Sequence, residues 1–246
     1  MKIGVSGCSH STPSYGKSWV NFLSEKYNPK IIETFASGVG NEIHIEKIKY
    51  IFENHKDLDF HIFQLTDPSR LVLGIDGNNI IDEYKNRFGI SNVNLDQLCS
   101  ERFFKNASYY TFTVRDSATQ IDRVLKNVNP IQINDFFVNH ILTSEYNLNL
   151  KVFHTLMTLQ TLSEFYNKKI LFFSWFVDIK ELAEKSGYAD IIKNMNIIDG
   201  YVEDFTKKNK VPKLSVDNYH YGSESQEIIF KEYLEKPIED FIKNKL

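Results

Sequence analysis

Cysteine is scarce: Cys8 and Cys99 are the only two in 246 residues, and no Cys-x-x-Cys pair exists. That excludes a disulfide framework and a zinc-finger site, and it fits a reducing compartment. Long apolar runs are also missing. No stretch approaches the ~18 apolar residues that a membrane span needs. The apolar run in MKIGVSGCSH is too short for a signal peptide, and polar residues follow it at once. The chain is therefore expected to stay in a cytoplasm, or to leave it only within a larger assembly such as a virion. No basic block stands out and the net charge is −3, so no nucleic-acid partner is expected. The histidines show neither H-x-x-x-H nor H-E-x-x-H spacing, and no metal site is expected.

What is present is the composition of a globular chain, 42% hydrophobic and 25% charged. Apolar runs at 2–6, 30–35, 59–65 and 169–175, with a weaker one at 196–198, read as strands. KILFFSW is the kind of run that a parallel sheet buries on both faces. Helical patterns over 16–27 and 41–54 separate the first three strands, which predicts parallel pairing with right-handed crossovers. Asn41 is read as the N-cap of the second helix. Further helices are expected within 134–167, where Leu150, Phe153, Leu156, Met157, Leu159, Leu162 and Phe165 would form a buried face. Others are expected at 178–186 and 189–195, and 200–222 reads mostly as loop. Ser223-x-x-Gln226 has the form of a capping box opening a last helix, which Pro237 kinks or restarts. Residues 69–130 show no clean period and read as a partly helical insertion. With no repeat or linker in view, the expectation is one domain over 1–246. It would be an α/β fold, a three-layer α/β/α sandwich around a central parallel sheet of about five strands.

The loop after the first strand, GCSHSTPSYGKS, invites two familiar readings, and both fail at the same position. A phosphate-binding G-x-x-x-x-G-K-[ST] ending at Gly16-Lys17-Ser18 needs glycine where Ser11 stands, and Pro13 removes a backbone donor. A G-x-S-x-G elbow built on Gly7 and Ser9 needs its second glycine at Ser11 too.

A third arrangement fits: Gly7-Cys8-Ser9 directly after the first strand, Gly38 in ASGVGN, and Asp217-Asn218-Tyr219-His220 near the C-terminus. These blocks, in this order, resemble the SGNH (GDSL-like) hydrolase family, whose fold is flavodoxin-like. Some phage-encoded members share a GCS…SW opening and a T-x-P-S-R run, here Thr66-Asp67-Pro68-Ser69-Arg70. The resemblance implies an esterase with Ser9 as nucleophile, His220 as general base and acid, and Asp217 as its orienter. It implies an oxyanion hole from the N–H groups of Ser9 and Gly38 plus a side-chain amide. No cofactor is implied. The substrate would be a small-molecule or glycan ester, an O-acyl group on a carbohydrate being the leading guess.

The chain departs from the family twice. The family's Gly-x-Asn-Asp after the third strand is absent, leaving Gln64, Thr66 and Asn41 as substitute donors. Cys8 stands where the family commonly has Asp, and is itself a second candidate nucleophile. His10 and Arg70 are candidate substrate contacts; Arg70 pairing with Asp67 is the alternative. Each block also has a plain structural reading: Gly38 as a tight turn, Asp217 as a turn former, His220 as part of a surface aromatic cluster with Tyr219 and Tyr221. The competing function is a non-catalytic binding module on the same fold, a viral structural or carbohydrate-recognising protein.

Overall fold

The computed structural model describes residues 1–35, 40–68, 70–76, 107–113, 144–215 and 220–245. In chain order the strands are β1 (Lys2–Gly7), β2 (Lys30–Phe35), β3 (Phe60–Leu65), β4 (Arg70–Asp76), β5 (Ala107–Thr113), β6 (Lys169–Ser174) and β7 (Asn196–Ile197). Five of them form one all-parallel sheet in the order β2-β1-β3-β6-β7. The helices are α1 (Trp19–Tyr27), α2 (Asn41–Asn54), α3 (Glu145–Phe165), α4 (Ile179–Ser186), α5 (Ala189–Ile192), α6 (Val202–Lys208), α7 (Ser223–Ile228) and α8 (Glu235–Lys245).

Alternation along each strand sorts the core into two layers. Ile3, Val5, Phe60, Ile62, Leu171 and Phe173 face one side, where α1, α6 and the C-terminal helices bury Trp19, Leu23, Val202, Phe230 and Leu234 against them. Phe63, Leu65, Ile170 and Phe172 face the other, against Ile48 and Phe52 of α2 and Phe153, Leu156 and Leu159 of α3. Both faces of the sheet are covered, so its inner strands bury nearly every residue, the polar Ser6, His61, Gln64 and Ser174 included. The result is a three-layer α/β/α arrangement. The chain crosses from β1 through α1 on one face to β2, then from β2 back past β1 through α2 on the other face to β3. The strand order thus reverses between β1 and β3, and the crevice beyond their carboxyl ends is where such sheets bind ligands.

Several sequence expectations change. The described parts of the 69–130 insertion are strands: β4 and β5 pair antiparallel, with Arg70 opposite Thr113 and Asp76 opposite Ala107. The helix expected there falls outside the described residues. The stretch 200–222 contains α6, whose Val202 and Thr206 are buried, with acids in its first turn and lysines in its last. On α3 the buried face runs through Val152, Phe153, Leu156 and Leu159, while Met157 and Phe165 are exposed. Pro237 is the third residue of α8, which starts at Glu235. A π-helical stretch, Ile229–Leu234, precedes α8, and the Glu235 N–H donates to the Phe230 carbonyl where α8 begins.

Candidate active site

The site begins where β1 ends. Cys8, Ser9, His10 and Ser11 form a tight turn closed by the Ser11 N–H donating to the Cys8 carbonyl at 2.9 Å. Thr12 closes the next step through its hydroxyl, which donates to the Ser9 carbonyl at 3.0 Å. Gly7 makes room for this turn. A Cβ there would lie 2.5 Å from Ser11 Oγ and 2.6 Å from Gln64 Oε1, two atoms that bond to each other directly behind it. The small residue in Gly-Cys-Ser is thus a packing requirement.

The turn is fastened from behind. Trp19, fully buried, donates from Nε1 to Ser11 Oγ at 2.9 Å. Gln64 donates from Nε2 to Cys8 Sγ at 3.1 Å. Cys8 is itself fully buried. Its thiol faces Gln64 while its neighbour's hydroxyl faces elsewhere.

That hydroxyl meets a histidine from the far end of the chain. Ser9 Oγ lies 2.8 Å from His220 Nε2, across 211 residues of sequence. With the ring proton on Nδ1, Nε2 accepts the Ser9 O–H. Three features hold the histidine. Its carbonyl accepts the Leu214 N–H at 2.9 Å. The next residue, Tyr221, is buried and its hydroxyl pairs with Thr206 Oγ1 of α6 at 2.9 Å. Aromatic rings flank the imidazole: Tyr15 stacks on it with centroids 4.1 Å apart, and His10 lies 4.8 Å away. His10 is in turn stacked on Trp175 at 4.4 Å, just past β6.

One side chain ties the two ends together. Gln226 of α7 donates from Nε2 to the His10 carbonyl at 3.1 Å and accepts the Trp19 N–H on Oε1 at 3.2 Å. This displaces the capping box read from the sequence: α7 takes Gly222 as its N-cap, and Ser223 Oγ accepts the Lys17 N–H at 2.9 Å.

The other expected site residues fall as follows. Gly38 and Asp217 lie outside the described residues, as does the side chain of Arg70. Asn41 is the first residue of α2, with Gly40 as the N-cap. Its side chain turns to Thr66, accepting the Thr66 N–H at 2.8 Å and donating to the Thr66 carbonyl at 3.4 Å. Gln64 has its carbonyl on Ser11 and its amide on Cys8. The two side-chain amides read as oxyanion donors are thus engaged within the protein. His10 is 6% exposed and packs behind His220. The sequence reading missed Tyr15, Gln226 and Trp175. Tyr15 stands six residues beyond Ser9, the one cue that was available.

Among the described residues no three His, Cys, Asp or Glu side chains gather as a metal ion would need, and no helix is long and apolar enough to cross a membrane. No protein-family model matches the chain, and no curated protein matches it.

Proposed function

We propose that the protein is a serine hydrolase that cleaves an ester, with Ser9 as nucleophile, His220 as general base and acid, and Asp217 as the carboxylate that orients His220. The observation that carries this reading is the 2.8 Å contact between Ser9 Oγ and His220 Nε2. Serine is a weak nucleophile at neutral pH and needs a base within hydrogen-bond reach.

Ser9 Oγ attacks the ester carbonyl carbon as its proton passes to Nε2. The tetrahedral intermediate collapses, and the departing alcohol oxygen takes that proton from Nε2. Water then attacks the acyl-Ser9 carbonyl, giving a proton to Nε2. The second collapse returns it to Ser9 Oγ and releases the carboxylic acid.

The oxyanion needs fixed donors. Among the described residues, none accepts the Ser9 N–H; by resemblance the Gly38 N–H joins it. With Asn41 and Gln64 engaged elsewhere, the hole rests on backbone donors and the Thr66 hydroxyl, and a missing donor typically costs ~10²–10³ in rate. Slow turnover is the expected behaviour. The substrate we favour is an O-acyl group on a carbohydrate or another small ester, and the setting a cytoplasm or a virion. The test is hydrolysis of p-nitrophenyl acetate, with an initial nitrophenolate burst approaching one per protein, as an acyl-enzyme that forms faster than it hydrolyses gives. The same engagement of Asn41 and Gln64 favours the second reading, a binding module, which predicts neither burst nor turnover.

A further inference from the structure

Of the two rings described against His220, those of His10 and Tyr15, Tyr15 is the solvent-exposed one. His10, Trp175 and Tyr221 are between 1% and 6% exposed, whereas Tyr15 is 41% exposed. One face of its ring lies on the imidazole, with planes 26° apart. Its backbone is fixed rather than loose. Tyr15 ends a short 3-10 turn, Pro13–Tyr15, which the Gly16 N–H closes onto the Pro13 carbonyl at 3.2 Å. Gly16 then takes φ +105°, a conformation that favours glycine, and a Cβ there would run into the Ser223 hydroxyl. That hydroxyl holds the Lys17 N–H at 2.9 Å. An exposed aromatic ring is therefore pinned from both sides against the general acid.

The position has a chemical consequence. In the acylation step Nε2 gives its proton to the leaving oxygen, so the alcohol must lie against the same imidazole. The acyl group lies toward the oxyanion donors, away from it. We infer that Tyr15 forms a leaving-group subsite, and that the site selects esters whose alcohol carries a ring with a flat apolar or π face. This deepens the serine-hydrolase reading above and rests on it.

The test compares kcat/KM for benzyl acetate and for an O-acetylated methyl pyranoside, each against ethyl acetate, in wild type, Tyr15→Ala and Tyr15→Phe. The two ring-bearing esters separate an aryl preference from a sugar-face preference. A ring–ring contact corresponds to about three- to tenfold. Wild type should favour at least one ring-bearing ester, Tyr15→Ala should lose that factor, and Tyr15→Phe should keep it. The acetate-to-butyrate ratio, which reports the acyl side, should stay the same in all three. An unchanged ring preference in Tyr15→Ala overturns the subsite while leaving the hydrolase reading intact. So does a loss that is matched on the acyl side. A wild-type protein that turns over none of these esters and resists a fluorophosphonate probe overturns the hydrolase reading, and the subsite with it.

Discussion

The side-chain amide of Gln226 holds the carbonyl of His10, the residue after Ser9, at 3.1 Å across 216 positions of sequence. The same side chain accepts the Trp19 N–H, so one buried glutamine fixes both ends of the loop that carries Ser9. It sits six residues beyond His220, on the helix that follows the histidine loop.

Replacing it should therefore affect both stability and chemistry. Gln226→Leu leaves a buried donor and a buried acceptor unmatched, at a cost of about 2–4 kcal/mol together. Urea denaturation measures this, and the rate of Ser9 acylation should fall at least tenfold. Ser225→Ala is the control. It removes a partly buried bond to the Pro212 carbonyl from the neighbouring position, at about 1 kcal/mol, with little effect on acylation. Equal rates in the two variants would show that the loop is held by other contacts.

Gln64 offers a second test. Its amide oxygen and nitrogen are committed to Ser11 and Cys8 in a fully buried setting. Gln64→Met should destabilise the fold by about 1–3 kcal/mol, because the Ser11 hydroxyl loses a partner. At temperatures where the variant is folded, acylation should slow by less than tenfold. A loss of 10²-fold or more without loss of stability would return Gln64 to the oxyanion hole.

His61 makes folding sensitive to acid. It is fully buried in β3, with Nε2 on Ser6 Oγ at 2.9 Å, and burial pushes its pKa down to about 3. Unfolded, it takes up a proton near pH 6.5. The unfolded chain therefore binds the extra proton, so stability is complete above about pH 6.5 and is lost as pH falls toward 3. Between pH 6.5 and pH 5 the loss attributable to His61 is about 1–2 kcal/mol. Denaturation of wild type and His61→Gln at both pH values isolates it. The variant should lose about 1–2 kcal/mol less on acidification, and equal losses would contradict a buried neutral imidazole.

Much of the fold is legible in the sequence because burial on two faces leaves a local mark. KILFFS needs no partner to be read as an inner strand, and the alternation of strand with helix gives the parallel order. β4 and β5 were missed because their pairing joins positions as far apart as Arg70 and Thr113. ASYYTFT, rich in Tyr, Thr and Phe, carried a strand signal that the surrounding irregular sequence obscured. At the site, Ser9 and His220 could be singled out because each sits in a short block. The roles of Asn41 and Gln226 could not. Both match local capping patterns, yet each spends its amide on a distant backbone, a choice made by tertiary packing.

The most direct test is the rate of labelling by a fluorophosphonate in wild type, Ser9→Ala and His220→Ala, with each variant shown to be folded by urea denaturation. The account predicts one label per chain on Ser9 in wild type, none in Ser9→Ala, and labelling slowed by at least 10³-fold in His220→Ala, the scale on which a serine triad fails when its base is removed. Labelling that persists in Ser9→Ala, or that proceeds at the wild-type rate in His220→Ala, would contradict it.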